Sequence, residues 1–120
     1  KVLVIDDDIR NIFSLASALE EYGIELAYAE SGRAGLEVLE ARPEIDVALV
    51  DIMMPDMDGY ETIREIRTRE GLHDLPIIAV TAKAMKGDRE RCIEAGAWDY
   101  LAKPVDPDEL VALLRAWLVR

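Results

Sequence analysis

Short apolar runs that stop on a polar residue alternate along the chain with longer stretches whose apolar positions return every three or four residues. The runs at residues 2–5, 45–50 and 75–81 are near-continuous and rich in Val and Ile, as strands buried on both faces require. Residues 25–29 show only the weak alternation of a strand near a sheet edge, and residues 98–102 make a short fifth strand. Helices are expected between them at 9–21, 32–41, 59–69 and 84–95, and from Pro107 onward. Ser31 and Asp58 stand where N-caps belong, and Asp106-Pro107-Asp108-Glu109 is a strong helix start. Gly23 and Gly96 close their helices as C-caps, and Pro43 keeps the second from continuing. Five strand–helix alternations with short connections call for one doubly wound α/β domain, a parallel sheet covered on both faces.

The spacing also assigns faces. In the first helix the inward stripe runs through Leu15, Ala18, Leu19 and Tyr22. Ile9, Phe13 and Ala16 fall on a different face with Ile12 at its border, an apolar patch that either packs on a loop or docks a partner. Ile63, Ile66 and Tyr60 are the inner positions of the third helix, and Leu110, Leu113, Leu114 and Trp117 those of the last. The fourth helix has only Met85, Cys92 and Ile93 to turn inward, so it is the helix most free to move.

With 120 residues the chain is long enough for one cored domain, expected to span residues 1–120, and too short for two. Its net charge of −11, with no block of Lys or Arg, argues against nucleic acid or an anionic membrane as direct partner. No run of eighteen apolar residues and no signal-peptide pattern is present, and the single cysteine fits a reducing compartment, so a cytoplasmic location is expected. The chain opens on Lys1, one residue before a strand, as a piece of a longer protein would.

What the strand ends carry changes the picture most. Strands one, three, four and five end on Asp6/Asp7, Asp51, Thr81 and Lys103. Ligands of open α/β sheets bind at the carboxyl ends of the strands. There, three carboxylates repel one another unless a cation joins them or one takes a proton. A hard divalent ion such as Mg²⁺ resolves that conflict with oxygen ligands. A carboxylate beside such an ion can attack phosphorus. Thr81 could then donate to the new phosphoryl group and Lys103 pair with its charge.

The residues Ile5-Asp6-Asp7-Asp8, Asp51-Ile-Met-Met-Pro55-Asp-Met-Asp-Gly59, Thr81-Ala82 and Asp99-Tyr100-Leu-Ala-Lys103-Pro104 resemble the receiver domain of two-component response regulators, in order and spacing over the whole chain. The resemblance implies a flavodoxin-like strand order 2-1-3-4-5, the order known for receivers themselves. It implies that Asp51 is the phosphoacceptor for a phosphohistidine on a histidine kinase or histidine phosphotransfer domain. Mg²⁺ would be held directly by Asp7 and Asp51, through water by Asp6, and by the backbone carbonyl of Met53. Thr81 and Tyr100 match the switch pair, Lys103 the family's lysine, and Pro104 a residue commonly joined to it by a cis bond. Ile9, Ile12, Phe13 and Pro104 are the candidate partner-docking residues. The stretch from Asp6 to Phe13 is similar to receivers attached to hybrid sensor histidine kinases. Trp98 departs from the family pattern, and Met53 and Lys83 occupy positions that tune dephosphorylation.

Other residues read more simply. Asp8 caps or is solvated, His73 is a surface residue, Cys92 is a small core residue, and the Met53, Met54 and Met57 side chains make a soft loop rim. A hydrolase of the haloacid-dehalogenase type competes as a function, because Asp6 and Asp8 formally make its Asp-x-Asp pair. It also needs a substrate cap and further acid late in the chain, for which 120 residues leave little room. A flavin carrier would want a Ser/Thr/Gly phosphate loop where this chain has acid.

Overall fold

The computed structural model describes residues 1–82 and 87–118, the last two by backbone alone. Five strands and five helices alternate: β1 (Val2–Ile5), α1 (Ile9–Glu20), β2 (Leu26–Ala29), α2 (Gly32–Ala41), β3 (Val47–Asp51), α3 (Gly59–Thr68), β4 (Ile77–Thr81), α4 (Asp88–Ala95), β5 (Asp99–Ala102) and α5 (Pro107–Leu118). All pairings are parallel, in the order β2-β1-β3-β4-β5.

Period-two alternation divides the core. Leu3, Ile5, Ala48, Val50, Ile77 and Ala79 face the side covered by α2, α3 and α4. Val2, Val4, Val47, Leu49, Ile78 and Val80 face α1 and α5. Every residue of β1, β3 and β4 is buried, which is why these strands read as unbroken apolar runs. The weaker β2 is an edge strand with Tyr28 exposed.

The helix starts are made by the expected side chains. Asp8 Oδ1 accepts from the Arg10 amide at 3.0 Å, Ser31 Oγ from Ala34 at 3.1 Å, Asp58 Oδ1 from Glu61 at 2.9 Å and Asp106 Oδ1 from Asp108 at 2.9 Å. Helix faces needed correction. The buried stripe of α1 is Ile12, Leu15 and Leu19, with Ala18 half-buried and Tyr22 exposed. The helix stops at Glu20, so Tyr22 cannot extend the stripe, and its hydroxyl donates instead to Asp108 Oδ1 at 2.5 Å. In α4, Ala95 is buried with Cys92 three residues earlier, while Ile93 lies about 100° round the helix and is exposed. In α5, Val111 joins Leu110 and Leu114 inside and Leu113 is half-buried. Met85, Lys83 and the Trp117 side chain lie outside the described residues.

Candidate functional site

The strand order reverses at β1, which has β2 on one side and β3 on the other. A crevice therefore opens at the carboxyl ends of β1 and β3. Ladder bonds that run one residue past the strands hold its walls. The Asp6 amide donates to Ala29 O at 3.0 Å, Ile52 to Val80 O at 2.9 Å and Lys103 to Thr81 O at 2.8 Å. Asp6, Asp51, Thr81 and Lys103 are thereby carried on rigid backbone rather than on free loop.

The two inner carboxylates are nearly sealed, Asp6 at 3% and Asp51 at 2% exposure. Each uses one oxygen on a nearby backbone amide: Asp6 Oδ1 accepts from Asp8 at 2.9 Å and Asp51 Oδ1 from Met53 at 3.1 Å. Each turns the other to one ammonium, with Lys103 Nζ at 3.3 Å from Asp6 Oδ2 and 3.4 Å from Asp51 Oδ2. Asp7 is exposed at the mouth, and Asp6, Asp7 and Asp51 can each place an oxygen within 4.8 Å of the others. Among the described residues three carboxylates face one ammonium, so these groups carry surplus negative charge. Burial first, then the Asp6 carboxylate, push the Asp51 carboxyl up to about 6, against the pull of Lys103. Burial alone would lower the Lys103 ammonium, but the charges of Asp51 and Asp6 outweigh it and hold it above its ordinary value. An all-oxygen, acid-rich cleft with too little positive charge fits a hard divalent cation.

The raised Asp51 carboxyl has a consequence for stability. Its folded value of about 6 lies above the ordinary 3.8, so between those values the native state binds the extra proton. Its destabilising effect is absent in acid, grows as pH rises through that window, and is complete above it. In chelator at pH 7.5, Asp51→Asn should be more stable than the parent by about 1–2 kcal/mol, a figure discounted for solvent at the cleft mouth. Urea denaturation should show the difference vanishing near pH 4 and shrinking when Mg²⁺ is added to the parent at neutral pH.

The sequence-predicted residues distribute as follows. Asp6, Asp7, Asp51 and Lys103 converge. Thr81 ends β4 almost fully buried, and the Lys103–Pro104 bond is cis. Tyr100 pairs with Ala79 in β5 and its half-buried side chain packs on the core beneath α2, α3 and α4. Met53 is exposed. Phe13 and Pro104 are exposed and Ile9 half-buried, but Ile12 is 1% exposed and belongs to the core, so it is not a docking residue. Its side chain faces the sheet because α1 lies with the Ile12–Leu15–Leu19 edge inward. Asp8, the second acid of the hydrolase pair, caps α1 and pairs with Arg10 Nε at 3.3 Å. His73 is exposed, and its ring nitrogen Nδ1 donates to Arg67 O at 2.8 Å.

Sequence reasoning missed two features. A cavity of about 110 Å³ continues from the cleft beneath residues 103–105, with Asn11 and Ser14 of α1 on its wall. Their spacing of three was the available signal. Gly59 ended a quoted motif, but its packing role was not read: a Cβ there would lie 2.5 Å from Asp51 O and from Ile52 Cα. The glycine lets α3 start against the backbone that bears Asp51.

Known proteins resemble this chain over nearly its whole length. The family model for the response regulator receiver domain matches residues 2–115. The heme response regulator HssR of Staphylococcus aureus is 38% identical over 118 residues, covering 98% of this chain and 51% of HssR. The hybrid signal transduction histidine kinase I of Dictyostelium discoideum is 37% identical over 127 residues, covering all of this chain but 7% of the kinase. The chain thus spans about half of one of these curated relatives and a small fraction of the other. Among solved structures, the receiver domain of the sensor histidine kinase PA1611 from Pseudomonas aeruginosa, with a magnesium ion coordinated in its active-site cleft, superposes with a TM-score of 0.85 at 36% identity, covering 99% of this chain and 97% of that one. With the doubly wound sheet and the acid cleft at its strand ends, these matches make the chain a member of the response-regulator receiver domain family, the phosphoacceptor module of two-component signalling.

Proposed function

We propose that Asp51 takes a phosphoryl group from a phosphohistidine of a histidine kinase or histidine phosphotransfer domain. The observation that carries this reading is the cleft itself, where two buried carboxylates share a single ammonium and a third waits at the mouth. An Asp51 carboxylate oxygen forms the new O–P bond while the donor's N–P bond breaks, and the leaving imidazole nitrogen keeps that bond's electron pair and takes up a proton. Asp7, Asp51, Asp6 through water and the Met53 carbonyl would hold Mg²⁺, which would supply charge neutralisation to the phosphoryl oxygens. Lys103 moves from pairing carboxylates to pairing the transferred group, and the Thr81 hydroxyl donates to it. Tyr100, on the strand beside Thr81, then repacks, and the surface of α4, β5 and α5 changes with it.

The domain acts as one unit in the cytoplasm, and Ile9, Phe13 and Pro104 receive the donor domain. Catalysis is confined to its own phosphorylation and slow loss of that phosphate. No helix among the described residues is long and apolar enough to cross a membrane, in keeping with that placement.

Incubation with a small phosphodonor and Mg²⁺ followed by intact mass tests the chemistry. One metal-dependent, alkali-labile phosphate should appear and be absent from Asp51→Asn. An adduct that survives Asp51→Asn but disappears in Asp6→Asn would move the nucleophile to the first strand and overturn the assignment.

A further inference from the structure

The cavity beneath residues 103–105 has no part in phosphoryl chemistry. It lies on the α1 and α5 side of the sheet. Leu15, Leu49, Val80, Pro104 and Val105 give it apolar walls, while Asn11 and Ser14, one turn apart on α1, give it a polar one. Asn11 is half-buried, and its carboxamide has no hydrogen-bond partner among the described residues. Ser14 is exposed, so the cavity reaches solvent past α1 without passing through the cleft. Where it meets the cleft, Asp6, Asp51 and Lys103 line it.

These walls select an occupant. The volume of about 110 Å³ is smaller than the roughly 150 Å³ of an apolar cavity that takes up benzene, so a five-membered ring is the largest that fits. Both signs of charge are excluded. An anion would meet the buried Asp6 and Asp51 carboxylates, and a cation the Lys103 ammonium that pairs them. A carboxamide offers an N–H donor and a C=O acceptor side by side, which a cis amide in a small ring answers with the reverse pair.

We propose that this cavity is a binding site for a small neutral lactam-like molecule, which hydrogen-bonds the Asn11 carboxamide and packs beneath residues 103–105. Bound there, it braces that segment and keeps Lys103 on the Asp6 and Asp51 carboxylates. Its effect on signalling rests on the phosphoacceptor reading of Asp51, in which Lys103 must leave those carboxylates for the transferred group.

The probe is γ-butyrolactam, a five-membered cis lactam, titrated in chelator and followed by residue-resolved amide NMR. A ligand this small should saturate with a dissociation constant of about 1–10 mM. Shifts should concentrate on the Ser14, Leu15, Val80 and Val105 amides and spare Leu36 and Leu39 on the opposite face of the sheet. Cyclopentanone keeps the ring and the acceptor but lacks the N–H, and should bind about tenfold more weakly. Asn11→Leu keeps the side-chain bulk and removes the amide, so it should bind both probes equally, and Asn11→Gln should regain part of the preference. Caprolactam, the same amide in a larger ring, should not bind. With a small phosphodonor and Mg²⁺, saturating butyrolactam should slow adduct formation in the parent at least about threefold, read by intact mass.

The absence of a saturable shift at those four amides overturns the proposal, because the cavity then takes water only. Equal binding of butyrolactam and cyclopentanone by the parent overturns it by removing Asn11 from the site. Caprolactam binding as tight as butyrolactam would place the probe on an open surface, and binding seen only after Mg²⁺ is added would place it on metal in the cleft. Either result also overturns the proposal, as does an unchanged rate of adduct formation at saturating butyrolactam. If no adduct forms even without butyrolactam, the Asp51 reading fails, yet the titrations still decide whether the cavity is a lactam site.

Discussion

Lys103→Ala is expected to slow phosphoryl transfer to Asp51 by about 10²–10³-fold, the cost typical of losing one charge-stabilising donor from a water-poor site. Among the described residues Lys103 supplies the one ammonium that reaches both buried carboxylates, at 3.3 and 3.4 Å. Among the described residues, removing it leaves Asp6 and Asp51 with no ion-pair partner. Metal binding should therefore survive, and tighten, because the cleft becomes more negative. Phosphorylation rates with a small donor from low to saturating Mg²⁺, together with Mg²⁺ titration, separate the two effects. Slower transfer with undiminished metal affinity places Lys103 on the phosphoryl group. Slower transfer that extra Mg²⁺ restores in full would make Lys103 only an organiser of the metal cradle.

Gly59→Ala is expected to cost roughly 3 kcal/mol of stability, because the added methyl has nowhere to go. Both of its nearest contacts, Asp51 O and Ile52 Cα at 2.5 Å, are backbone and cannot rotate aside. Either α3 lifts from the sheet or the end of β3 is displaced, and the second response also moves Asp51. Gly71→Ala is the matched control: its φ of 84° strains an alanine, but no atom lies within 4 Å of the new Cβ. It should cost only about 1 kcal/mol. Urea titration with unchanged slope measures both. Equal losses at the two glycines would mean that backbone freedom, not close approach to β3, explains Gly59.

The order of elements was legible in the sequence for a simple reason. Strands buried on both faces must be continuously apolar, and β1, β3 and β4 are buried at every position. Caps were legible too, because the Asp8, Ser31, Asp58 and Asp106 side chains bond amides two or three residues away and need no tertiary partner. The acid, hydroxyl and ammonium at the strand ends followed from the same runs, since a buried strand can change polarity only where it leaves the core.

Tertiary structure decided what depends on which element lies alongside. Periodicity defines a helix stripe but not its angle on the sheet. Ile12 of α1 therefore went inside, and Tyr22 turned to Asp108. Hydrophobic periodicity does not distinguish Gly59, needed for close approach, from Gly71 in open space, because the difference lies in the Asp51 and Ile52 backbone. Arg67 is likewise one charged residue among many until Gly96, 29 positions away, brings its carbonyl to the guanidinium. Local chemistry and strand polarity were written in the chain, whereas helix rotation, close packing and long-range polar contacts came from how its parts meet.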